Sequence, residues 1–133
     1  MLKILLIAIG GGVGTFFRYI ISGADNKLTS SIFPINTVII NISGSLIIGF
    51  LWGLFERINI SSTMRMFIFI GILGGFTTFS TFSLESFYLF RNGEFKTAFY
   101  NIILTNFLGI VFVFVGFGAA RFMTNIVERG IKI

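Results

Sequence analysis

The chain has 133 residues, of which 55% are hydrophobic and only 11% are charged, with no cysteine and no histidine. Soluble domains carry about a quarter charged residues, so this composition is that of a membrane protein. The missing cysteines exclude disulfides and thiolate metal sites, and the missing histidines remove the commonest general base and metal ligand. The acids are spaced too far apart for a carboxylate pair at i+3 or i+4: Asp25, Glu56, Glu85, Glu94 and Glu128. We therefore predict that the protein is not an enzyme and has no nucleic-acid partner.

Charged residues divide the chain into four apolar stretches, each long enough for a transmembrane helix, which needs roughly 20 mostly apolar residues. We predict spans near residues 3–23, 33–55, 66–90 and 98–122, joined by short loops within a single domain of residues 1–133. We expect that the first stretch is not a cleaved signal peptide, because its polar, glycine-rich half lacks a small-x-small cleavage site followed by a soluble domain. The predicted fold is thus an all-α, multi-pass membrane bundle.

The distribution of basic residues gives little orientation signal. One side would carry Lys3, Arg57, Arg65, Arg121, Arg129 and Lys132, and the other Arg18, Lys27, Arg91 and Lys96. Topology depends on an asymmetry of such charges. Weak asymmetry is typical of a chain that inserts both ways round, and it is equally compatible with one poorly marked orientation.

Small residues recur at steps of four in every span. The pairs and triplets are Gly10 and Gly14; Ser45, Gly49 and Gly53; Gly71 and Gly75; and Gly116 and Ala120. Close backbone approach at small residues holds helices together in lipid, so we expect these to be helix contacts. Four short helices enclose little space, so a transporting form is expected to be an oligomer.

Polar residues lie deep in the second and fourth spans. Asn41 and Ser45 share one helix face, and Asn101, Thr105 and Gly109 are spaced at steps of four in the last span. A membrane-embedded asparagine faces protein or water. Asn41 could simply bond a neighbouring helix, or the two polar lines could form a hydrated path.

The stretch GGFTTFSTFS, residues 74–83, predicts a break in the third span. Its paired glycines allow unusual backbone angles, and Thr77 and Thr78 can bond carbonyls that a break sets free. Irregular backbone at membrane depth survives only inside protein or beside an aqueous cavity. Such breaks expose carbonyls to cations and helix N-termini to anions.

Two phenylalanines follow the break, Phe79 and Phe82, on one side of the resumed helix. The edge of a phenyl ring carries weak positive potential, which suits an anion that must be dehydrated and still released. Ordinary packing is the alternative in a chain with 19 phenylalanines. Arg18, in the first span, could snorkel to the interface or form a positive vestibule that concentrates anions.

Three motifs in order resemble the Fluc (CrcB-type) fluoride channels, over nearly the whole chain. They are GGVGTFFRY at residues 11–19, TVIINISGSLIIG at 37–49 and GILGGFTTFSTFSLES at 71–86. The resemblance implies an antiparallel, dual-topology homodimer in the inner (plasma) membrane, with two pores that pass fluoride passively out of the cytoplasm.

The resemblance also assigns residues by motif position. It implies a fluoride pathway with ring edges of Phe79 and Phe82, the pore asparagine Asn41, the vestibule arginine Arg18, and Ser80, Thr81, Glu85 and Thr105. Backbone carbonyls of Gly74 and Thr77 from both subunits would hold a structural sodium ion at the dimer centre.

Three positions depart from the family pattern: Asn101 stands where tyrosine is common, Gly109 replaces a serine, and Asn36 replaces a glycine. Two other functions are alternatives. A small dual-topology multidrug transporter would resemble a cation exchanger with an acid in its first helix, where this chain has Arg18 and no acid. A scaffold subunit would have no need for polar lines.

Overall fold

The computed structural model describes residues 1–23 and 32–131, with side chains up to residue 129. The described part is helical: α1 is Leu2–Gly23, α2 is Ile35–Phe55, α3 covers residues 62–76, α4 is Phe79–Arg91 and α5 is Phe95–Ile131. Among the acids and bases discussed above, Asp25, Lys27 and Lys132 lie outside the described residues.

Within the described residues, four helical units are long and apolar enough to cross a membrane: α1, α2, α3 continued by α4, and α5. The third unit is composite, because α3 consists of Ser62–Met66, a π-helical stretch Phe67–Leu73 and a short helix Gly74–Phe76. The fourth unit differs from the predicted span 98–122, since α5 begins at Phe95 and continues to Ile131. Its charged last turns extend it beyond the apolar stretch.

The helices pack mainly in two pairs, α1 with α3 and α2 with α5, while α4 leans on α5. The predicted small residues lie in these contacts. A Cβ added to Gly10 would lie 2.8 Å from the backbone oxygen of Phe67. Gly49 faces the backbone of Val113, and Gly116 faces the backbone of Leu46, both too closely for any side chain. The steps of four therefore mark helix contacts, as predicted.

Polar caps and ion pairs fix the ends of the bundle. Ser61 Oγ accepts a hydrogen bond from the Met64 N–H at 3.3 Å and so caps α3. Gly93 has φ of 80°, a conformation that favours glycine, and reverses the chain between α4 and α5. At the end of the bundle that includes Ser61, two ion pairs join the C-terminal part of α5 to the end of α2: Arg57–Glu128 at 2.8 Å and Arg121–Glu56 at 3.2 Å.

Candidate functional site

The third span is interrupted at two residues. Thr77 (φ −76°, ψ 157°) and Thr78 (φ −149°, ψ 116°) are extended, and α4 resumes at Phe79. The predicted break is therefore present, but the prediction that the glycines supply its unusual angles is wrong. Gly74 has helical angles of −64° and −36°.

Gly75 instead serves close packing. A Cβ there would lie 2.5 Å from the carbonyl oxygen of Gly11 in α1. The helix ends one residue later, at Phe76, because the threonines, not the glycines, change the backbone direction. The residues that allow the helix to approach α1 and the residues that break it are thus adjacent but distinct.

Asn41 of α2 holds the break through both ends of its amide. In an uninterrupted helix the Thr78 N–H would donate to the Gly74 carbonyl, but here it donates to Asn41 Oδ1 at 2.9 Å. Asn41 Nδ2 donates in turn to the Thr78 carbonyl oxygen at 3.0 Å. The side chain therefore pairs with the extended residue as a neighbouring strand would, and both backbone groups are satisfied inside the membrane. Asn41 does bond a neighbouring helix, and it does so at the break itself.

Thr78 also starts the next helix. Its Oγ1 accepts from the Thr81 N–H at 3.2 Å and donates to Thr81 Oγ1 at 2.9 Å, so it is the N-cap of α4. The N-terminus of α4 carries the positive end of a helix dipole, and the C-terminus of α3 carries the negative end. Both helix ends meet at Thr77 and Thr78. This junction can therefore attract an anion at the N-terminus of α4 and a cation at the C-terminus of α3.

A groove of about 460 Å³ opens beside the break, between α2, α3, α4 and α5. Its polar lining is Asn41, Ser45, Thr77, Thr78, Thr105 and Asn106, and its aromatic lining is Phe69, Phe79 and Phe82. The groove therefore brings together four of the predicted pathway residues: Asn41, Phe79, Phe82 and Thr105. Gly74 lines it as well.

The two phenylalanines differ in burial although their rings are adjacent. The ring centroids are 5.5 Å apart with the planes tilted by 49°. Phe82 is only 5% exposed, whereas Phe79 is 75% exposed. Phe82 thus forms a wall of the groove inside the bundle, while Phe79 forms its outer edge.

Arg18 lies on the other side of the break from the groove. Its Nη1 approaches the Thr77 carbonyl oxygen at 3.5 Å, and Thr15 Oγ1, one turn earlier on α1, donates to the Gly75 carbonyl oxygen at 3.4 Å. Both contacts are with carbonyls that lost their helical donors at the break. The guanidinium therefore adds positive charge near the interruption without lining the groove.

Three further predicted pathway residues do not line the groove. Ser80 and Thr81 are exposed on the first turn of α4. Glu85 lies one turn further and its Oε1 accepts a hydrogen bond from Thr37 Oγ1 at 2.7 Å. Thr37 is on α2, one turn before Asn41, so the same face of α2 binds both the break and the acid.

Two departures from the family pattern have structural roles. Asn36 Nδ2 donates to the carbonyl oxygens of Ile21 and Ser22, at 3.0 and 3.3 Å, and so binds the C-terminal turn of α1. Asn101 is fully buried on α5, where its Nδ2 donates to Ser86 Oγ of α4 at 3.0 Å. Both amides therefore join neighbouring helices through side-chain hydrogen bonds.

Sequence reasoning missed Thr37 and Ser86. A usable signal was present for Thr37, because a glutamate inside a span requires a partner and Thr37 shares the α2 face of Asn41. For Ser86 the sequence offered only its spacing of four from Phe82, to whose carbonyl oxygen its hydroxyl donates at 2.8 Å.

Comparison with known proteins gives consistent results. Residues 5–117 match the family described as CrcB-like protein, Camphor Resistance (CrcB). A protein of Desulfotalea psychrophila named fluoride-specific ion channel FluC is 45% identical over 88% of this chain and 91% of its own length. Proteins with the same name from Pyrococcus abyssi and Parabacteroides distasonis are 44% and 40% identical, over 88% and 87% of this chain and 94% and 91% of their own lengths. The matched part contains the break, the groove and the Asn41 contacts, and the chain belongs to the CrcB-like family.

Proposed function

We propose that the chain forms a passive, fluoride-selective anion channel, which lets cytoplasmic fluoride leave across the inner (plasma) membrane down its electrochemical gradient. The names of the relatives support the choice of ion. The observation that carries the proposal is the groove, where a broken transmembrane helix, an amide and two phenylalanine rings converge at membrane depth.

The chemistry of the groove suits a small anion that must bind weakly. No charged side chain is among the described residues that line it. The positive potential comes from the N-terminus of α4 and from ring edges, both of which are weak compared with a cation. Conduction needs binding that is strong enough for entry and weak enough for release. Arg18 lies nearby and raises the local anion concentration without contacting the path.

The test is fluoride efflux from proteoliposomes, followed with a fluoride electrode, with chloride efflux measured in parallel. We expect rapid fluoride loss and no chloride loss. Phe82→Ala should reduce the fluoride flux by at least tenfold, because it removes the buried wall of the groove. Phe87→Ala is the matched control, since that ring is exposed on the same helix and does not line the groove. Near-normal flux in Phe82→Ala would refute the role of the ring.

The working form is an antiparallel, dual-topology homodimer with two pores. Polar groups near the break are exposed on the single chain, namely Gly74, Ser80, Thr81, Ser83 and Asn106. Irregular backbone does not face hydrocarbon, and a cluster of exposed polar groups beside it favours contact with protein or water. A second copy of the chain would cover this surface and still leave room for ions. The chain has no cysteine, so single cysteines introduced at either terminus can be labelled selectively. Labelling from both membrane sides in one population is expected, and labelling from one side only would contradict dual topology.

A structural sodium ion is proposed at the dimer centre, with Gly74 and Thr77 carbonyls from both copies as ligands. The residues fit a hard cation, which prefers oxygen ligands. The Gly74 carbonyl loses its helical donor because the Thr78 N–H donates to Asn41, and the Thr77 carbonyl oxygen accepts a long 3.5 Å contact from Arg18. When bound, sodium would neutralise these carbonyl dipoles and join the copies. Exhaustive sodium removal should loosen the dimer or stop transport, and full activity without sodium would argue against the site.

A further inference from the structure

A line of buried hydrogen bonds runs from α4 to α5 behind the groove. Thr105 Oγ1 donates to Asn101 Oδ1 at 3.3 Å, and Asn101 Nδ2 donates to Ser86 Oγ at 3.0 Å. The Ser86 hydroxyl donates to the Phe82 carbonyl oxygen at 2.8 Å. Ser86, Asn101 and Thr105 are 6%, 0% and 8% exposed, so water has little access to these groups.

The acceptor at the α4 end of this line, the Phe82 carbonyl oxygen, determines the direction of donation in every hydrogen bond of the line. A carbonyl oxygen only accepts, so the single proton of the Ser86 hydroxyl is used by Phe82. Ser86 Oγ can then only accept from Asn101, which turns the amide nitrogen toward α4 and the amide oxygen toward Thr105. An amide oxygen also only accepts, so the one hydroxyl proton of Thr105 is held by Asn101.

This direction matters because Thr105 lines the groove together with Phe79 and Phe82. With its proton turned toward Asn101, the hydroxyl offers the groove lone pairs, which repel an anion. Fluoride needs donors to replace its water. We propose that Asn101 competes with fluoride for the Thr105 hydroxyl proton and thereby keeps fluoride binding in the groove weak. The inference rests on the proposed function, and it makes Asn101 and Ser86 positioning residues that act through Thr105.

Two different substitutions should release the same proton. Asn101→Ala removes the acceptor. Ser86→Ala removes the group that orients the amide, so the amide can turn its NH2 toward Thr105, which then accepts and donates into the groove. Each change should lower the half-saturating fluoride concentration by roughly three- to tenfold, the effect of one net hydrogen bond. Each should also lower the maximal flux, because the ion leaves more slowly.

The experiment is a fluoride titration of flux in proteoliposomes with the full chain, alone and in the Thr105→Val background. Support requires each variant that folds to lower the half-saturating concentration when Thr105 is present and to have no such effect when it is replaced. Thr97→Val is the control, because its hydroxyl lies on the same helix and donates to Glu94 Oε2 at 3.4 Å, away from the groove.

Unchanged or raised half-saturation in the two variants, or an equal shift in the Thr105→Val background, would overturn the inference while leaving the channel intact. Ser86→Ala changes the side-chain volume very little. If Asn101→Ala does not yield a folded protein, the result with Ser86→Ala alone tests the inference. A wild-type protein without fluoride flux would refute the proposed function, and the inference with it.

Discussion

The contact between α2 and α5 and the junction between α3 and α4 are built by opposite means. The first is a close approach of two regular helices, in which Gly49 faces the backbone of Val113 and Gly53 faces Ala120. The second is a gap between helices whose free backbone groups are satisfied by side chains from elsewhere, chiefly Asn41 and the cap residue Thr78.

The difference separates stability from function. At Gly49 and Gly53 the small residues bring the backbones of α2 and α5 together, so this part of the contact holds the bundle together. The junction leaves space, and its order depends on a few specific hydrogen bonds rather than on many equivalent contacts. Substitutions in the α2–α5 contact should therefore unfold the protein. Substitutions at the junction should leave the protein folded but impair transport.

The largest effect is expected from Gly49→Val. A side chain there would collide with the Val113 backbone, and overpacking against backbone destabilises by about 3 kcal/mol. We expect loss of monodisperse protein in size-exclusion chromatography and a lower midpoint of thermal unfolding by circular dichroism, with flux lost in proportion.

Gly118→Val is the matched control for this change, since a Cβ at Gly118 would meet nothing within 4 Å. It should unfold like the wild type. Equal damage from both substitutions would mean that glycine itself, rather than the close approach of α2 and α5, matters at these positions.

Asn41→Ala should give the converse result, a folded protein that transports poorly. The change leaves the N–H and carbonyl of Thr78 without their side-chain partner. Thr78 lines the groove, where water can bond these groups, so the break loses its fixed shape while the helix contacts remain. We expect at least tenfold lower fluoride flux from protein that still elutes as the wild type does. Ser43→Ala controls for the loss of a polar group on α2, because the Ser43 hydroxyl donates to the Ile40 carbonyl oxygen of its own helix. Normal flux in Asn41→Ala would show that the break holds its shape without the amide.

The sequence predicts the packed region better than the junction. Spacing of small residues indicates a helix contact directly, because the helical period places every fourth residue on one face. The glycines and threonines of residues 74–78 also predict the break. They wrongly predict, however, that the glycines rather than the threonines adopt its unusual backbone angles. Gly75 packs against α1 and Thr77 and Thr78 turn the chain, a division that depends on where α1 lies.

The hydrogen-bond partners at the site are even harder to predict from the sequence. Asn41 was identified as a buried amide in need of partners, but its pairing with Thr78 joins residues 37 positions apart in sequence. The bonds of Asn36 and Asn101 depend likewise on how the helices are placed next to each other. Local patterns carry no information about such register.

A smaller effect on transport is expected at Arg18, where charge and hydrogen bonding can be separated. Arg18→Gln keeps a donor for the Thr77 carbonyl but removes the charge, so flux should fall by about two- to fivefold at low ionic strength and by less at high salt, where screening is stronger. Lys3→Gln, at the beginning of the same helix, is the control and should leave flux unchanged. A loss in Arg18→Gln that does not depend on salt would indicate a structural role for the guanidinium.

The smallest effect is expected at the ion pair between Arg57 and Glu128. Its side chains are 34% and 54% exposed, and exposed pairs contribute below about 1 kcal/mol because solvent and salt screen them. A double-mutant cycle with Arg57→Gln and Glu128→Gln, followed by thermal unfolding, should give a coupling within that limit that shrinks as salt is added. Fluoride flux should not change, since the pair lies at the end of α5 remote from the groove. The last turns of α5 continue past the predicted end at 122. A coupling above about 2 kcal/mol would mean that these turns stabilise the bundle about as strongly as the glycine contacts do. The bundle would then have an electrostatic support in addition to the packed region and the functional junction.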